Sequence, residues 1–226
     1  MSTDSATSLD DIDAGLAQAE PKLTIREQRL AIATYRLLST GEPVTVQFAA
    51  AATNLPAADV DQVLHSWPSV YFDHDDRVIG FWGLALAPMP HRLRIGRADL
   101  FAWCAWDPLF LALIVGPMDV ATNDPVTGDT ITYHLDRDAT ITGLSHRGSM
   151  LSFLRRDRPW DDDVMATFCH FIVQFTGPDS AERWTNDHPG TFTMSFDDAL
   201  ELARRHVARS FVPALGLARL DLATPL

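Results

Sequence analysis

Three short helix-forming segments in succession, closed by a hairpin, constrain this chain more than any other feature of its sequence. Residues 25–38 carry apolar side chains at Leu30, Ala33, Tyr35, Leu37 and Leu38, with Thr24 in place as an N-cap. Gly41-Glu42-Pro43 ends that helix, and a second is predicted from near Thr45 through Ala52. Asn54-Leu55-Pro56 interrupts again, and a third is predicted over 57–67. Val70-Tyr71-Phe72 and Val78-Ile79-Gly80-Phe81-Trp82 then flank the polar turn Asp73-His74-Asp75-Asp76, the pattern of a β-hairpin. Three helices and a hairpin make a winged-helix-like unit over residues 21–88.

Such a unit is either a small packing domain or a reader of DNA. A reading helix carries Arg, Lys, Asn or Gln to base edges. The third helix here begins Ala57-Ala58-Asp59-Val60-Asp61-Gln62-Val63-Leu64-His65, with two aspartates and neither Arg nor Lys. The whole chain has a net charge of -12, whereas phosphate contacts by cationic side chains supply most non-specific nucleic-acid affinity. DNA is therefore not an expected partner.

Pro88-Met89-Pro90 marks the expected boundary to a second domain, residues 89–226. Strands are predicted over 91–95, 118–122, 130–135, 139–142 and 150–153. A helical region runs from around Cys104 to Gly116-Pro117. Residues 164–175, rich in β-branched and aromatic side chains, read as a strand with Cys169 inside it. A short helix is expected over 179–184, and a C-terminal one from the Ser195 cap to Phe211. The fold class is thus α+β: a winged-helix-like three-helix domain plus hairpin, followed by a mixed α/β domain. Residues 1–20, rich in Ser, Thr, Asp and Ala, are expected as a mobile tail, with neither the basic start nor the apolar stretch of a secretory signal. No apolar run reaches the ~18 residues of a membrane span, so the expected location is the cytoplasm, where thiols stay reduced.

Only two cysteines occur, Cys104 in Phe101-Ala102-Trp103-Cys104-Ala105-Trp106-Asp107 and Cys169 in Thr167-Phe168-Cys169-His170. Two buried small hydrophobes are one reading of them. The other is a pair of soft-metal ligands served by the acid three residues after the first thiol. A structural zinc site needs four ligands, usually from close cysteine pairs, and no C-x-x-C occurs. A Cys–His hydrolase has eight histidines to draw on but no local motif. On a strand, His170 would face away from Cys169.

Asp107-Pro108 is a good helix start, yet proline also kinks helices. Either a kinked helix carries Cys104, or the helix begins at Asp107 with Cys104 in the preceding turn, where its positive end lowers a thiol pKa. Both keep thiol and carboxylate together. A carboxylate made more basic by burial can take a thiol proton and later deliver it to a leaving group. Trp103 and Trp106 flank the thiol as either an apolar pocket wall or core packing.

These residues resemble the organomercurial (alkylmercury) lyases. The resemblance runs from Val78-Ile79-Gly80-Phe81-Trp82-Gly83-Leu84 through Pro90-His91-Arg92, Trp103-Cys104-Ala105-Trp106-Asp107 and Phe168-Cys169-His170, and covers roughly residues 25–210. It implies protonolysis of a carbon–mercury bond, giving a hydrocarbon and Hg(II). Cys104 and Cys169 match the two mercury-binding catalytic cysteines, and Asp107 matches the acid that protonates the departing carbon and stands beside the metal. Trp103 matches an aromatic residue next to the first cysteine and, with Trp106 and Phe168, is expected to shape the substrate pocket. No cofactor is implied; external thiols or a mercuric reductase would remove Hg(II). The competing reading is a soft-metal sequestering or sensing winged-helix protein without turnover, for which Asp107 has no use. Two departures stand out: Asp124 occupies the place of a third, structural cysteine found in many members, and Pro108 follows the aspartate.

Overall fold

A computed structural model of the protein describes residues 8–156 and 158–221. Ser8 opens the first helix, α1 (Leu9–Ala19), through a capping box with Asp11. This corrects the expectation of a mobile tail for its residues, while residues 1–7 lie outside the described part. Composition misleads here because α1 draws its stability from the far end of the chain. It buries Ile12, Leu16 and Ala19, and its Asp10 and Asp13 bond to Arg205 and Arg209.

Three further helices follow, α2 (Ile25–Leu38), α3 (Val46–Thr53) and α4 (Ala57–Ser66), close to their predicted bounds. Thr24 and Glu27 form the capping box of α2, and Thr45 caps α3. The predicted hairpin is present as β1 (Val70–Phe72) and β2 (Val78–Phe81). It is not a closed unit. Through β3 (Leu84–Ala85), β4 (His91–Ile95), β5 (Ala98–Ala102), β6 (Met118–Asn123), β7 (Thr130–Leu135) and β8 (Ile141–Thr142) it continues into one antiparallel sheet of order β1-β2-β3-β5-β4-β6-β7-β8. Pro88-Met89-Pro90 lies on the connection between β3 and β4, within that sheet. β5 escapes the sequence reading because Gly96-Arg97 folds it straight back on β4, with Ile95 opposite Ala98. The predicted strand over 139–142 shrinks to β8, since Ala139 takes φ 58° in a turn.

The turn from β2 to β3 is short and strained. Phe81 pairs with Leu84, leaving only Trp82-Gly83 as the loop. Both residues have positive φ, 35° and 99°, as a tight two-residue hairpin requires. That is natural for glycine and costly for tryptophan. Trp82 is held there by two bonds: its indole N–H donates to the Pro68 carbonyl at 2.9 Å, and its own carbonyl accepts from Tyr35 Oη at 2.9 Å.

Helix α5 (Asp107–Val115) is apolar on every side, the signature of a helix sunk in a core. Leu109, Leu111 and Ala112 are completely buried. It packs against α2 and against the C-terminal helix α8 (Phe196–Ser210), whose cap is Ser195 as predicted. A second sheet of order β10-β9-β11 comprises β9 (Met150–Leu154), β10 (Gln174–Phe175) and β11 (Thr191–Ser195). Helix α6 (Val164–Thr167) precedes β10, α7 (Pro178–Asp187) follows it, and α9 (Val212–Asp221) ends the described chain. Among the described residues, no helix is long and apolar enough to cross a membrane.

The predicted strand over 164–175 is the clearest misreading. Its residues form α6, a 3₁₀ turn at Cys169–Phe171 and only two strand residues. The Phe168 backbone, at φ −140° and ψ −62°, breaks the helix. The Ile172 carbonyl then accepts from the Ala105 N–H at 3.0 Å. A contact 67 residues away thus sets the local shape, which no local pattern reveals.

Candidate active site

Trp106 is the N-cap of α5, and Asp107 is its first residue, with Pro108 in the first turn where a missing N–H costs nothing. Of the two geometries left open by the sequence, the helix beginning at Asp107 is the one adopted. Cys104 lies in the preceding turn, and its N–H donates to Asp107 Oδ2 at 2.7 Å. Pro108 does not displace the carboxylate from the thiol.

The Ala105–Ile172 bond ties this turn to the loop holding Cys169, whose thiol is near enough to that of Cys104 to help raise its pKa. Both are free thiols and both are buried. Of the sequence-predicted residues, Cys104 thus has Asp107 as one neighbour and Cys169 as the other. His170 is exposed and outside that group, on a 3₁₀ turn rather than on the far face of a strand.

These residues border a cavity of about 90 Å³, walled by Trp103, Trp106 and Phe168 and also by Trp82, Trp160 and Phe211. Asp107 and Cys169 line it, whereas Cys104, 1% exposed, lies behind the wall. The tryptophans flanking Cys104 serve as wall and as core at once, Trp103 being 7% and Trp106 3% exposed.

Burial governs the electrostatics. It lifts the Asp107 carboxyl from its ordinary 3.8 to about 7, against the pull of hydrogen bonds from the Cys104 N–H, the Cys104 thiol and the Trp103 N–H. The acid is thereby balanced between its two forms near neutral pH, where proton exchange is most effective. Burial also pushes the Cys104 thiol well up, reinforced by the Cys169 thiol and the Asp107 charge. This reverses the expectation that the helix end would acidify it: desolvation of a thiolate outweighs half a unit of helix charge here. Cys104 is kept as a thiol until something takes its proton, and Asp107 is the acceptor already in contact.

The turn Trp82-Gly83 supports the carboxylate from the other side. A Cβ on Gly83 would fall 2.7 Å from Asp107 Cγ and 2.9 Å from Oδ1, so only glycine fits. The sequence shows no sign of this beyond a glycine after an aromatic run, since its partner lies 24 residues on. The sequence reading also misses a polar group on the cavity wall, formed by Glu20, His206 and Ser210 from the two ends of the chain.

The alkylmercury lyase family model matches residues 84–208, and the model for the helix-turn-helix domain of alkylmercury lyase matches residues 11–82. An alkylmercury lyase of Staphylococcus epidermidis is 35% identical over 175 residues, covering 77% of this chain and 79% of the relative. The chain belongs to the alkylmercury lyase family. Another member, from Bacillus cereus, is 35% identical over 170 residues, 75% of this chain and 76% of the relative. The same fold is seen in the crystal structure of the mercury-bound form of MerB2, with a TM-score of 0.67 at 21% identity over 88% of this chain and 97% of the other. The activity of the family is cleavage of a carbon–mercury bond, and this chain is an enzyme of that class.

Asp124, one of the two departures noted in the sequence, is 1% exposed and fully engaged. It accepts from the N–H groups of Val126 and Thr176 at 2.8 Å each, from Thr176 Oγ1 at 2.9 Å, and from Ser180 Oγ at 2.6 Å. A carboxylate thus fastens the turn between β6 and β7 to the chain leading out of β10.

Proposed function

We propose that Cys169, Cys104 and Asp107 perform the carbon–mercury cleavage in that order. The organomercurial enters the aromatic cavity as a thiol adduct, and Cys169, the thiol on the wall, displaces the carrier thiol. Mercury is then beside Cys104. Asp107, already hydrogen-bonded to that thiol, takes its proton as the Cys104–mercury bond forms. The protonated acid delivers the same proton to carbon; the carbon–mercury bond breaks, the hydrocarbon leaves, and Hg(II) stays between two sulfurs. Carrying this reading is the contact of one buried carboxylate, balanced near neutral pH, with the deeper of two adjoining thiols.

The reaction is redox-neutral, so the chain's own nucleophiles and acid suffice without a resident cofactor. Mercury is substrate and cargo. External thiols, or the thiols of a mercuric reductase, carry it off. DNA is no part of this reading, given half-buried Asp59, paired with Arg26, and exposed Asp61 on α4. The cytoplasm is the location proposed, since the mechanism requires reduced thiols.

Headspace detection of methane or benzene from methyl- or phenylmercury tests the assignment. Cys104→Ser and Cys169→Ser are each expected to abolish release, and Asp107→Ala to keep mercury binding while losing about 10²–10⁴-fold in rate. Asp107→Ala turning over like wild type would overturn the assigned proton route.

A further inference from the structure

Cleavage by this route leaves one proton unaccounted for. Two cysteines enter as thiols and both end as thiolates on mercury. Asp107 carries one proton to carbon, and the other, from Cys169, must finish on the sulfur of the departing carrier. Asp107 is occupied with Cys104, so a second group on the cavity wall would speed that transfer.

The cavity wall offers one. His206 lines it together with Cys169 and Asp107, and its ring is packed among those of Trp106, Phe110 and Phe211, with centroids 4.9–5.7 Å away. Its Nδ1 is 2.8 Å from Glu20 Oε1. Glu20 is buried, and although burial alone would raise its pKa, His206 and Arg209 draw it down to about 2. The 2.8 Å contact with a carboxylate, which as an anion only accepts, is met by the tautomer that carries its proton on Nδ1. Nε2 is left as the exchangeable site, and among the described residues it has no hydrogen-bond partner. Arg209 and Ser210 also bond Glu20, at 2.9 Å each, so the carboxylate that orients the ring is itself fixed. The other titratable group on the wall, Tyr35, already donates to the Trp82 carbonyl.

We propose that His206, oriented by Glu20, is the acid–base residue of the thiol-exchange steps. The inference rests on the lyase reading. On entry, a sulfur–mercury bond forms to Cys169 and the bond from mercury to the carrier sulfur breaks. Nε2 receives the Cys169 proton and hands it to the carrier thiolate, which departs as a neutral thiol. When Hg(II) is cleared, the same nitrogen takes the proton of an incoming thiol, whose sulfur displaces a cysteine sulfur from mercury, and that cysteine regains the proton. No electrons are transferred in either direction.

The test is a leaving-thiol series in single turnover. Phenylmercury is supplied as adducts of aryl thiols, which leave readily as thiolates, and of alkyl thiols, which need a proton to leave. Benzene release is followed for wild type, His206→Asn and Glu20→Gln. Asn keeps a donor toward Glu20 while removing the base. With alkyl thiol adducts His206→Asn is expected to be about 10²-fold slower than wild type, and with aryl thiol adducts close to it. Glu20→Gln, which loosens the ring without removing it, should show the same selectivity more weakly, and serves alone if His206→Asn does not fold. Equal slowing with every leaving thiol, or no slowing at all, would overturn the proposal. Wild type releasing no benzene from any adduct would instead overturn the lyase reading on which it stands.

Discussion

Replacing Asp107 by Asn is expected to stabilise the protein above neutral pH while ending its chemistry. In the folded chain the Asp107 carboxyl titrates near 7, and in the unfolded chain near its ordinary 3.8. Below the lower value both states are protonated and nothing is lost. Between the two values the unfolded chain has shed its proton while the folded one holds it, so stability falls as pH rises. Above about 7 the folded protein carries a buried anion, and the loss is complete. Three pH units at 1.36 kcal/mol each amount to about 4 kcal/mol. For a chain of this size that corresponds to roughly 10 °C in melting temperature. Asn has no charge to bury and can still accept from the Cys104 N–H, so it escapes this cost. Other titrating groups are common to both proteins and cancel in the difference. Calorimetric melts of wild type and Asp107→Asn from pH 4 to pH 8.5 should therefore diverge with rising pH, the variant gaining. Parallel curves, or a variant that loses ground at pH 8, would refute burial as the source of the acid's basicity.

Two further substitutions probe the supports of the site. Gly83→Ala puts a methyl group into the Asp107 carboxylate at positive φ; it should cost about 1–3 kcal/mol in urea unfolding. It should also cost about 10²-fold in hydrocarbon release, because a displaced acid no longer meets the thiol. Asp124→Ala strands one buried and three part-buried donors and should lower stability by about 3 kcal/mol, with turnover per folded molecule nearly unchanged at 20 °C.

What the sequence discloses of this protein is what its neighbours along the chain determine. Thr24 with Glu27, Thr45 and Ser195 announce their helices because a cap is satisfied within three residues. Asp107-Pro108 likewise narrows α5 to two geometries. Cys169 reads as a strand residue because Phe, Ile and Val around it favour one, while the Ala105–Ile172 bond that bends it comes from another part of the fold. Helix α1 looks like a tail because its ionic partners, Arg205 and Arg209, lie some 190 residues away. For the same reason Glu20 and His206 do not read as a pair. The trio of reacting groups is legible only as a combination; its electrostatics, set by burial, is not, and the acidity expected of Cys104 has the opposite sign.

The central claim is that two sulfurs from distant parts of the chain take one mercury while a proton goes to carbon. Native mass measurement after one equivalent of phenylmercury, with benzene counted in the headspace, addresses it directly. The expected result is one benzene per chain and a protein heavier by one mercury less two protons, with neither change complete in Cys104→Ser or Cys169→Ser. A full yield of benzene from either serine variant, or mercury held with both thiol protons retained, would contradict the account.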